Sequence, residues 1–337
     1  MIRVGYVDQA LRFVKHSYRV HLPTTYWIDV SSFCNLRCVM CPQSKGLGRK
    51  QELMDLKLFK NIIDQISVNK PTIKLFMSGE PLLNRDIIEM IEYAHAKGCK
   101  TIMHTNATLL REDLAKKILS SHLDRISFSF DGASKEVYEK LRVRSNYDLV
   151  KANIKRFLEL RKAMGVERPV TAIEIIRMTE TDKHIANFVK EWKESGVDEV
   201  SVTPCMTWTG EIADLRVEKP KNYGYKPCRS LWQNCAILSD GTVVPCCLDL
   251  SGKLPLGNVK EHPFKDIWYG ENYNRLRTQH LNRTIPKDSI CHGCYNTQIS
   301  TRRDQAAVTF IRATGQFRRL QKIATKNKIS HKDIRTA

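Results

Sequence analysis

The 337-residue chain has no run of about 18 to 20 consecutive apolar residues, the length that a membrane-spanning helix needs. Its first thirty residues lack the apolar stretch between basic and small-residue flanks that marks a secretory signal. Internal repeats, low-complexity segments and nucleic-acid-binding motifs are also missing. With 42% hydrophobic and 27% charged residues, the chain can bury a sizeable core and stay soluble. We therefore expect a globular, cytoplasmic protein.

Acidic side chains are scarce relative to basic ones, with 36 Asp and Glu residues against 55 Lys and Arg residues and a formal net charge of +19. Residues 301–337 alone hold 10 basic and 2 acidic side chains. Such a charge is compatible with nucleic acid, an anionic membrane surface or a phosphorylated, nucleotide-linked or lipid-linked small molecule as partner, and charge alone does not choose among them. The pattern over 306–325 predicts an amphipathic helix in this basic tail. Two roles fit it: peripheral membrane contact, or packing on the fold with a solvated basic face.

Short β-branched runs alternate with amphipathic helical patterns along most of the chain, which is typical of βα units around a parallel sheet. We predict six strands, at 26–30, 72–77, 100–105, 125–130, 171–177 and 199–203. Helical patterns lie between them at 56–67, 85–97, 111–121, 147–163 and 183–195. The predicted fold class is therefore α/β, with a partial (β/α)6 TIM barrel over 26–204 that follows an N-terminal extension, 1–25.

A smaller unit is predicted after the barrel. The stretch 205–225 predicts a linker, because the periodic pattern is lost there and Pro220 and Gly224 interrupt it. Residues 226–300 form the second predicted domain, with a β-hairpin around Asp240 and Gly241 and short helices beginning at Pro263 and near 273. The Asp-Gly pair favours a type I′ turn, in which both central residues have positive φ. The basic helical tail, 301–337, comes last.

The chain has 11 cysteines, and metal binding is the favoured explanation because a cytoplasmic protein keeps its thiols reduced. Cys34, Cys38 and Cys41 form a C-x3-C-x2-C run directly after the first predicted strand. Three thiolates on one loop can hold three irons of a 4Fe–4S cluster and leave the fourth iron open to another ligand. Zinc is the rival metal, but a structural zinc site needs four ligands and this loop supplies three.

This run resembles the signature of the radical S-adenosylmethionine (SAM) enzymes, which carry it on the loop after the first strand of a partial (β/α)6 barrel. The resemblance covers 26–204 and implies that the open iron binds the amino and carboxylate groups of SAM. One electron from the cluster then cleaves SAM to a 5′-deoxyadenosyl radical, which removes a hydrogen atom from the substrate. The resemblance also implies a flavodoxin or ferredoxin-type reductant.

The same resemblance assigns SAM-binding positions at the ends of the first four strands. Ser78-Gly79-Glu80-Pro81 resembles the family's Gly-Gly-Glu-Pro motif, which binds the SAM amino group, with Ser78 in place of one glycine. Met40 stands where the family usually has an aromatic residue near the adenine, and a thioether can also pack on a ring. The positions that match the family's ribose and carboxylate contacts are Asn106, Ser129, Asp131 and Arg142.

A second cysteine set resembles the twitch domain, the shortened SPASM domain of a subset of radical SAM enzymes. The resemblance implies one auxiliary 4Fe–4S cluster in a closed four-ligand site, and therefore two clusters in all. Zinc stays an alternative for a closed four-cysteine site. Neighbouring strand residues point to opposite faces, so we do not expect Cys246 and Cys247 both to bind one cluster, and Cys246 fits the ligand spacing better. The predicted ligands are Cys228, Cys246, Cys291 and Cys294.

Twitch-bearing enzymes similar to this chain act on sugars and cyclitols. The leading hypothesis is a radical SAM oxidoreductase that oxidises a secondary alcohol of a carbohydrate-like or cyclitol substrate, with help from the auxiliary cluster. An epimerase is the alternative if a thiol returns a hydrogen atom to the substrate radical, and the candidate donors are Cys205, Cys235 and Cys247. A peptide-modifying maturase is disfavoured, because about 25 residues before the first strand leave no room for a leader-binding domain. An electron carrier is disfavoured too, because it needs closed clusters only. Four more side chains are unranked candidates for substrate contact: Glu174, Arg177, His184 and Trp208.

Overall fold

The computed structural model describes residues 20–132, 134–219 and 221–299. The strands there are β1 (Thr25–Ile28), β2 (Thr72–Lys74), β3 (Lys100–Thr105), β4 (Arg125–Ser129), β5 (Val170–Arg177), β6 (Glu199–Pro204), β7 (Asn234–Ile237), β8 (Thr242–Val244) and β9 (Gly257–Asn258). The α-helices are α1 (Leu56–Ile66), α2 (Ile87–Ala96), α3 (Glu112–Ser120), α4 (Lys135–Leu141), α5 (Tyr147–Ala163), α6 (Ile185–Glu194), α7 (Ser230–Gln233), α8 (Phe264–Tyr269) and α9 (Glu271–Asn282). The predicted basic tail, 301–337, lies outside the described residues. Among the helices that are described, none has the length and apolar character to cross a bilayer.

All nine strands belong to one sheet, in the order β6-β5-β4-β3-β2-β1-β7-β8-β9. From β1 to β6, each strand pairs in parallel with the next one along the chain, and helical segments lie between them. Because β6 and β1 lie far apart in this order, the barrel stays open. The predicted α/β fold class is confirmed, and the six predicted barrel strands all occur.

The two faces of the sheet differ in what covers them. The outer face carries fully buried side chains such as Tyr26, Ile73 and Met103, which pack with the helices in one continuous core. Full burial of an apolar side chain contributes about 1.5–3 kcal/mol, so this face accounts for much of the stability. The inner face carries the alternate residues, such as Trp27 and Lys74, which are only partly buried. The inner face is therefore accessible to a ligand.

Capping and periodic burial explain the helices. Asp55 caps α1 by accepting two backbone hydrogen bonds, at 2.9 and 3.1 Å, and Asn146 caps α5 by accepting one at 2.8 Å. The sequence analysis predicts no helix at α4. This seven-residue element buries two residues, Tyr138 and Leu141, which are too few to establish a helical period.

Strands β7 and β8 form the predicted hairpin, but its turn is not the predicted type I′. Gly241 has a φ of +91°, whereas Asp240 keeps a negative φ and accepts the Thr242 amide on its side chain at 2.9 Å. The Gly241 amide donates to the Leu238 carbonyl at 2.9 Å, and the Leu238 amide donates to the Thr242 carbonyl at 2.8 Å. This is a three-residue loop in which one glycine supplies the left-handed conformation, so Asp240 does not need it.

The hairpin continues the sheet of the barrel. Strand β7 pairs in parallel with β1, with Tyr26 opposite Cys235. Helix α8 packs on the same region, where the Trp268 indole donates to the His21 carbonyl at 2.8 Å. One sheet thus runs through both predicted domains, and the limits 205–225 and 226–300 stay a prediction.

Candidate functional site

The loop after β1 carries the three cysteines of the first motif, and the end of α4 holds it in place. The Arg37 amide donates to the Val143 carbonyl at 3.0 Å, and the Val39 amide donates to the Leu141 carbonyl at 2.9 Å. These two bonds bracket the middle of the motif. The unpredicted helix α4 therefore positions the loop.

The thiols of Cys34, Cys38 and Cys41 lie in or against one small apolar cluster. Burial raises the pKa of Cys34 to about 11 and the pKa of Cys41 to about 12. Their thiolate forms are therefore unstable without a positively charged partner. Three such thiols on one fixed loop have the ligand chemistry of an iron–sulfur cluster.

Gly79 lies where the loops after β1 and β2 touch. A Cβ atom at this position would lie 2.2 Å from the Phe33 carbonyl oxygen and 2.3 Å from that of Ser31. The Glu80 amide donates to the same Phe33 carbonyl at 2.8 Å. Only glycine permits this approach, which brings the motif after β2 against the residue before Cys34. The close approach therefore fixes the end of β2 against the start of the cysteine loop.

Ser78, which replaces a glycine of the family motif, bonds a buried carboxylate. Its hydroxyl donates to Asp29 at 2.7 Å and its amide donates at 3.1 Å. Arg49 donates to the same carboxylate at 2.6 Å and to the Leu250 carbonyl at 2.8 Å. Burial raises the pKa of Asp29, and the charge of Arg49 opposes this rise. The departure from the motif is thus part of a network that ties the end of β2 to the C-terminal unit.

Glu80 joins the ends of β2 and β3. It is 2% exposed, and its two carboxylate oxygens accept hydrogen bonds from the Thr105 hydroxyl at 2.6 Å and the Asn106 amide at 2.8 Å. Burial raises the pKa of Glu80, and the bond from Asn106 opposes the rise. The sequence analysis expects Glu80 to accept from SAM, and the structure adds this positioning contact. Pro81, also buried, begins the short turn that follows.

Asn106 connects the end of β3 to the cysteine loop. Its Nδ2 donates to Asn35 at 3.0 Å, and its Oδ1 accepts from the Thr108 hydroxyl at 2.6 Å. Asn35 itself donates to Thr108 at 2.7 Å. Neither Asn35 nor Thr108 is among the site residues predicted from the sequence. A polar residue directly after the first cysteine was the one available signal.

Asp131 and Arg142 form a buried ion pair beside Cys38. Arg142 donates from Nε at 2.9 Å and from Nη2 to one oxygen of Asp131, and its Nη1 faces the Cys38 sulfur at 3.9 Å. The other Asp131 oxygen accepts the Ile176 amide at 2.6 Å. Burial acts to lower the pKa of Arg142, but the charge of Asp131, the neighbouring Cys38 and Tyr138 and the hydrogen bond to Asp131 together raise it. A fixed cation beside the loop suits a carboxylate ligand. Ser129 ends β4, partly buried, two residues before Asp131.

Cys205 packs against the cysteine loop, as its predicted place at the active end of the barrel requires. It is 7% exposed and belongs to the same apolar cluster as Cys38 and Met40. Trp208 donates its indole N–H to the Met40 carbonyl at 3.0 Å. The segment after β6 thus covers the loop.

The four cysteines predicted for the second site line one cavity in the C-terminal unit, together with apolar residues, the buried His280 and the polar Ser230, Asn296 and Thr297. Burial raises the pKa of each of these thiols, that of Cys291 to about 12. A cavity lined by four buried or partly buried cysteines has the ligand chemistry of a closed iron–sulfur site. Within the described ranges, no three His, Cys, Asp or Glu side chains form a group suited to a single metal ion. The cavity-lining cysteines are Cys228, Cys246, Cys291 and Cys294.

Neither of two other candidate hydrogen donors, Cys235 and Cys247, lines this cavity. Burial raises the pKa of Cys247 to about 11, and the nearby ammonium of Lys74 opposes the rise. Cys235 is fully buried in the main core, where the Tyr273 hydroxyl bonds its sulfur at 3.4 Å. Because it faces the helix-covered side of the sheet, Cys235 cannot reach a substrate on the inner face. We withdraw it as a candidate donor.

The inner face of the barrel carries charged residues, most of which the sequence analysis did not single out. His104 stacks on Phe76 with ring centres 3.8 Å apart, and its Nδ1 lies 3.6 Å from Glu174. Burial lowers the pKa of His104 to about 3 and raises the pKa of Glu174. The signal available in the sequence was polar residues at alternate positions of apolar strands, such as Lys74 in β2.

Of the four unranked candidates for substrate contact, Glu174 lies on this inner face. Trp208 lies in the segment after β6 and contacts the cysteine loop. Arg177 is instead paired with Asp182, at the start of the short turn that contains His184. Glu174 therefore becomes the leading candidate.

Comparison with known proteins identifies both units. The profile of the radical SAM superfamily matches residues 28–192, and that of the SPASM iron–sulfur cluster-binding domain matches residues 228–295. The AdoMet-dependent heme synthase of Methanosarcina barkeri is 25% identical over 74% of this chain and 83% of its own. The S-adenosyl-L-methionine-dependent 2-deoxy-scyllo-inosamine dehydrogenase of Niallia circulans is 20% identical over 81% of this chain and 93% of its own.

Among solved structures, Streptococcus suis SuiB bound to its precursor peptide SuiA is similar, with a TM-score of 0.64, 18% identity and coverage of 80% of this chain and 70% of SuiB. This likeness shows the fold. The two domain matches confirm the cofactors expected from the sequence, which are SAM, its 4Fe–4S cluster and an auxiliary iron–sulfur centre.

Proposed function

The chain is a radical SAM enzyme with a SPASM-type iron–sulfur domain, and on this premise we propose that it oxidises a secondary alcohol of a carbohydrate-like or cyclitol substrate. The observation that carries the proposal is a charged inner face that lies between the three-cysteine loop and the strands leading to the four-cysteine cavity. The similarity to a dehydrogenase of 2-deoxy-scyllo-inosamine supports this substrate class.

When bound, SAM and the first cluster supply a 5′-deoxyadenosyl radical that removes a hydrogen atom, and the auxiliary cluster supplies an acceptor for the second electron. Cys34, Cys38 and Cys41 would hold the first cluster, with a flavodoxin or ferredoxin-type protein as the reductant. Gly79 and Arg142 border the place for SAM. The four cavity-lining cysteines would hold the auxiliary cluster.

Glu174 is our candidate for the group that accepts the hydroxyl proton. It lies beside Ser129 in the register of β4 and β5, partly buried on the inner face. Burial raises its pKa, which makes the carboxylate a better base than a solvated glutamate. His104, with its lowered pKa, stays neutral near pH 7 and does not compete for the proton.

The test uses anaerobically reconstituted enzyme with SAM, dithionite and a panel of sugars and cyclitols that includes 2-deoxy-scyllo-inosamine. We expect one 5′-deoxyadenosine for each ketone formed. Because a base acts only when deprotonated, kcat should rise with pH through the raised pKa of Glu174, and Glu174→Gln should remove this limb and lower kcat about 100-fold or more. Wild-type enzyme that makes no 5′-deoxyadenosine contradicts the radical chemistry. Radical formation without a ketone from any compound contradicts the oxidation.

Epimerisation is the second candidate, and the position of Cys205 favours it. A thiol that packs against the cysteine loop is placed to return a hydrogen atom to a substrate radical. In D2O an epimerase would place solvent deuterium on the substrate carbon, and Cys205→Ala would abolish this incorporation. A product without carbon-bound deuterium contradicts epimerisation and leaves oxidation.

A further inference from the structure

Lys74 is a partly buried cation with aromatic neighbours on the inner face. Its ammonium lies 4.3 Å from the centre of the Trp27 ring and 6.0 Å from that of Phe76. In the part of the chain that the structure describes, no salt bridge or hydrogen bond engages this ammonium. Aromatic faces replace only part of the hydration that an ammonium loses on burial. The ammonium of Lys74 therefore lacks a hydrogen-bond acceptor, and a bound anion would supply one.

The carboxylate of Glu174 and the guanidinium of Arg125 also lie near Lys74, but the Glu174 carboxylate is not within salt-bridge distance of its ammonium. Arg125 donates to Glu199 at 2.6 Å, and Glu174 lies 3.6 Å from His104. Burial lowers the pKa of Lys74. A carboxylate or phosphate oxygen would offer Lys74 a charge-assisted hydrogen bond in a place shielded from bulk water.

The register of the sheet locates Lys74 relative to both cysteine sites. Trp27 is opposite Lys74 in β2 and opposite Ala236 in β7, and Ala236 is opposite Val244 in β8. Val244 precedes Cys246 by two residues, while the chain after β1 leads in the opposite direction to the three-cysteine loop. A group bound by Lys74 would thus lie between the two sites.

We propose that Lys74 binds an anionic group of the substrate, a carboxylate or a phosphate, and that the rings of Trp27 and Phe76 flank it. The proposal deepens the proposed function, because it names the substrate class of the same inner face. The net charge of +19 agrees with an anionic substrate.

The test is equilibrium dialysis of the reconstituted protein against radiolabelled inorganic phosphate or acetate, with SAM at saturation so that its own carboxylate site is filled. We compare the wild type with Lys74→Met, Lys74→Arg and the control Lys57→Met, which removes an exposed lysine from α1. Saturable binding of one anion should weaken about tenfold or more in Lys74→Met, persist in Lys74→Arg and be unchanged in Lys57→Met.

Saturable binding of phosphate would indicate a phosphorylated substrate, and saturable binding of acetate would indicate a substrate with a carboxylate. Equal binding by the wild type and Lys74→Met, or no saturable binding by the wild type, overturns the proposal. The same preparations are assayed for uncoupled 5′-deoxyadenosine. If the wild type cleaves SAM but Lys74 does not affect anion binding, the inference fails while the radical chemistry stands. If no SAM is cleaved, the proposed function fails.

His280 supports a second inference about the auxiliary site. It is fully buried and lines the four-cysteine cavity. Its Nδ1 accepts the Cys228 amide at 3.3 Å, and because an amide only donates, the ring proton must be on Nε2. Nε2 is buried and has no hydrogen-bond partner among the described residues. A buried donor without an acceptor is costly and points to an acceptor that belongs in the cavity.

We infer that the Nε2–H of His280 donates to a sulfur of the auxiliary cluster. Hydrogen bonds to cluster sulfurs stabilise the more negative, reduced form and so raise the reduction potential. His280 would therefore make the auxiliary cluster a better electron acceptor. Its role is positioning and tuning, since the four cysteines already complete the ligand set.

The test is an EPR-monitored redox titration of the reconstituted full-length protein with His280→Phe and His280→Gln. Glutamine can accept the Cys228 amide and donate to sulfur, so it should keep the midpoint potential, whereas phenylalanine should lower it. ENDOR before and after transfer to D2O identifies the coupling of an exchangeable proton to the cluster. This coupling should be present in the wild type and in His280→Gln and absent in His280→Phe.

Identical midpoint potentials in all three proteins overturn this inference. So does an equal drop in both variants, because a purely structural role would not separate Gln from Phe. Wild-type protein that contains zinc and no second cluster refutes the inference together with the proposed auxiliary oxidation.

Discussion

The two cysteine sites are built in different ways. The first uses three cysteines of one loop, fixed by backbone bonds to α4 and by the close approach of Gly79. The second gathers cysteines from before α7, after β8 and from the C-x2-C turn near residue 294. A local site can be lost without disturbing the rest of the fold. A site assembled from distant segments also holds those segments together, so its loss should lower the stability of the protein.

Removing the three cysteines of the first site should give the largest effect. The triple variant Cys34→Ala, Cys38→Ala, Cys41→Ala should abolish 5′-deoxyadenosine formation and lower iron from roughly eight to roughly four atoms per monomer. Its thermal midpoint should stay close to that of the wild type, since the loop is fixed by backbone bonds. The measurements are iron and acid-labile sulfide per monomer, product chromatography and thermal unfolding. Any 5′-deoxyadenosine from this variant contradicts the assignment.

The matched change at the second site should act on stability. Cys291→Ala with Cys294→Ala should also remove roughly four irons, but in addition it should lower the thermal midpoint, because the binding energy of such a centre is part of the folding energy. Calorimetry of both multiple variants side by side decides the matter. Equal midpoints for the two would refute the contrast between local and assembled sites.

Arg49 is the next test, because it links the two units through a buried pair. The Arg49 and Asp29 side chains are 12% and 0% exposed. Arg49→Met leaves the Asp29 carboxylate buried without its cation, which should cost about 3–5 kcal/mol of unfolding free energy. Urea unfolding measures the loss. Lys60→Met, which breaks the exposed pair with Glu89, serves as the control and should show no measurable change.

Gly79→Ala should lower the free energy of unfolding less than Arg49→Met does. Forcing a Cβ against two carbonyl oxygens should cost about 1–3 kcal/mol and displace the loop before Cys34, so SAM cleavage should fall as well. Gly165→Ala is the control, since its φ is +64° but no atom lies within 4 Å of the added Cβ. It introduces backbone strain alone and should leave SAM cleavage intact. Equal loss of SAM cleavage in both variants would refute the role of the close approach.

The same contrast explains what could be predicted from the sequence. Strands and long helices follow from local periodicity, and the first cysteine motif follows from spacing within one loop. The second site could be proposed only through its resemblance to a family, since nothing local brings Cys228 and Cys291 to one cavity. The helix α4 was missed because it is short. The turn at Asp240 was misassigned because the side-chain bond to Thr242 competes with the backbone rule.

The remaining features that could not be predicted from the sequence are contacts between residues far apart in the chain. The carboxylate of Glu80 bonds residues on the neighbouring strand, and the Arg49 side chain reaches the carbonyl of Leu250. A role for the inner-face charges could not be predicted from the sequence, because Lys74, His104 and Glu174 come from different strands that only the fold brings together. Pairings of this kind depend on register, which no single segment encodes.

The pairing of β1 with β7 has a consequence for synthesis on the ribosome. Strand β1 emerges early, but its second neighbour is made only when the chain passes Ile237. Until then the nascent barrel exposes a hydrogen-bonding edge beside fully buried residues such as Tyr26, and exposed edges invite association with other chains. A ribosome that pauses before residue 234 would hold this edge open, so early termination in the C-terminal unit should yield aggregated fragments and not a free-standing barrel.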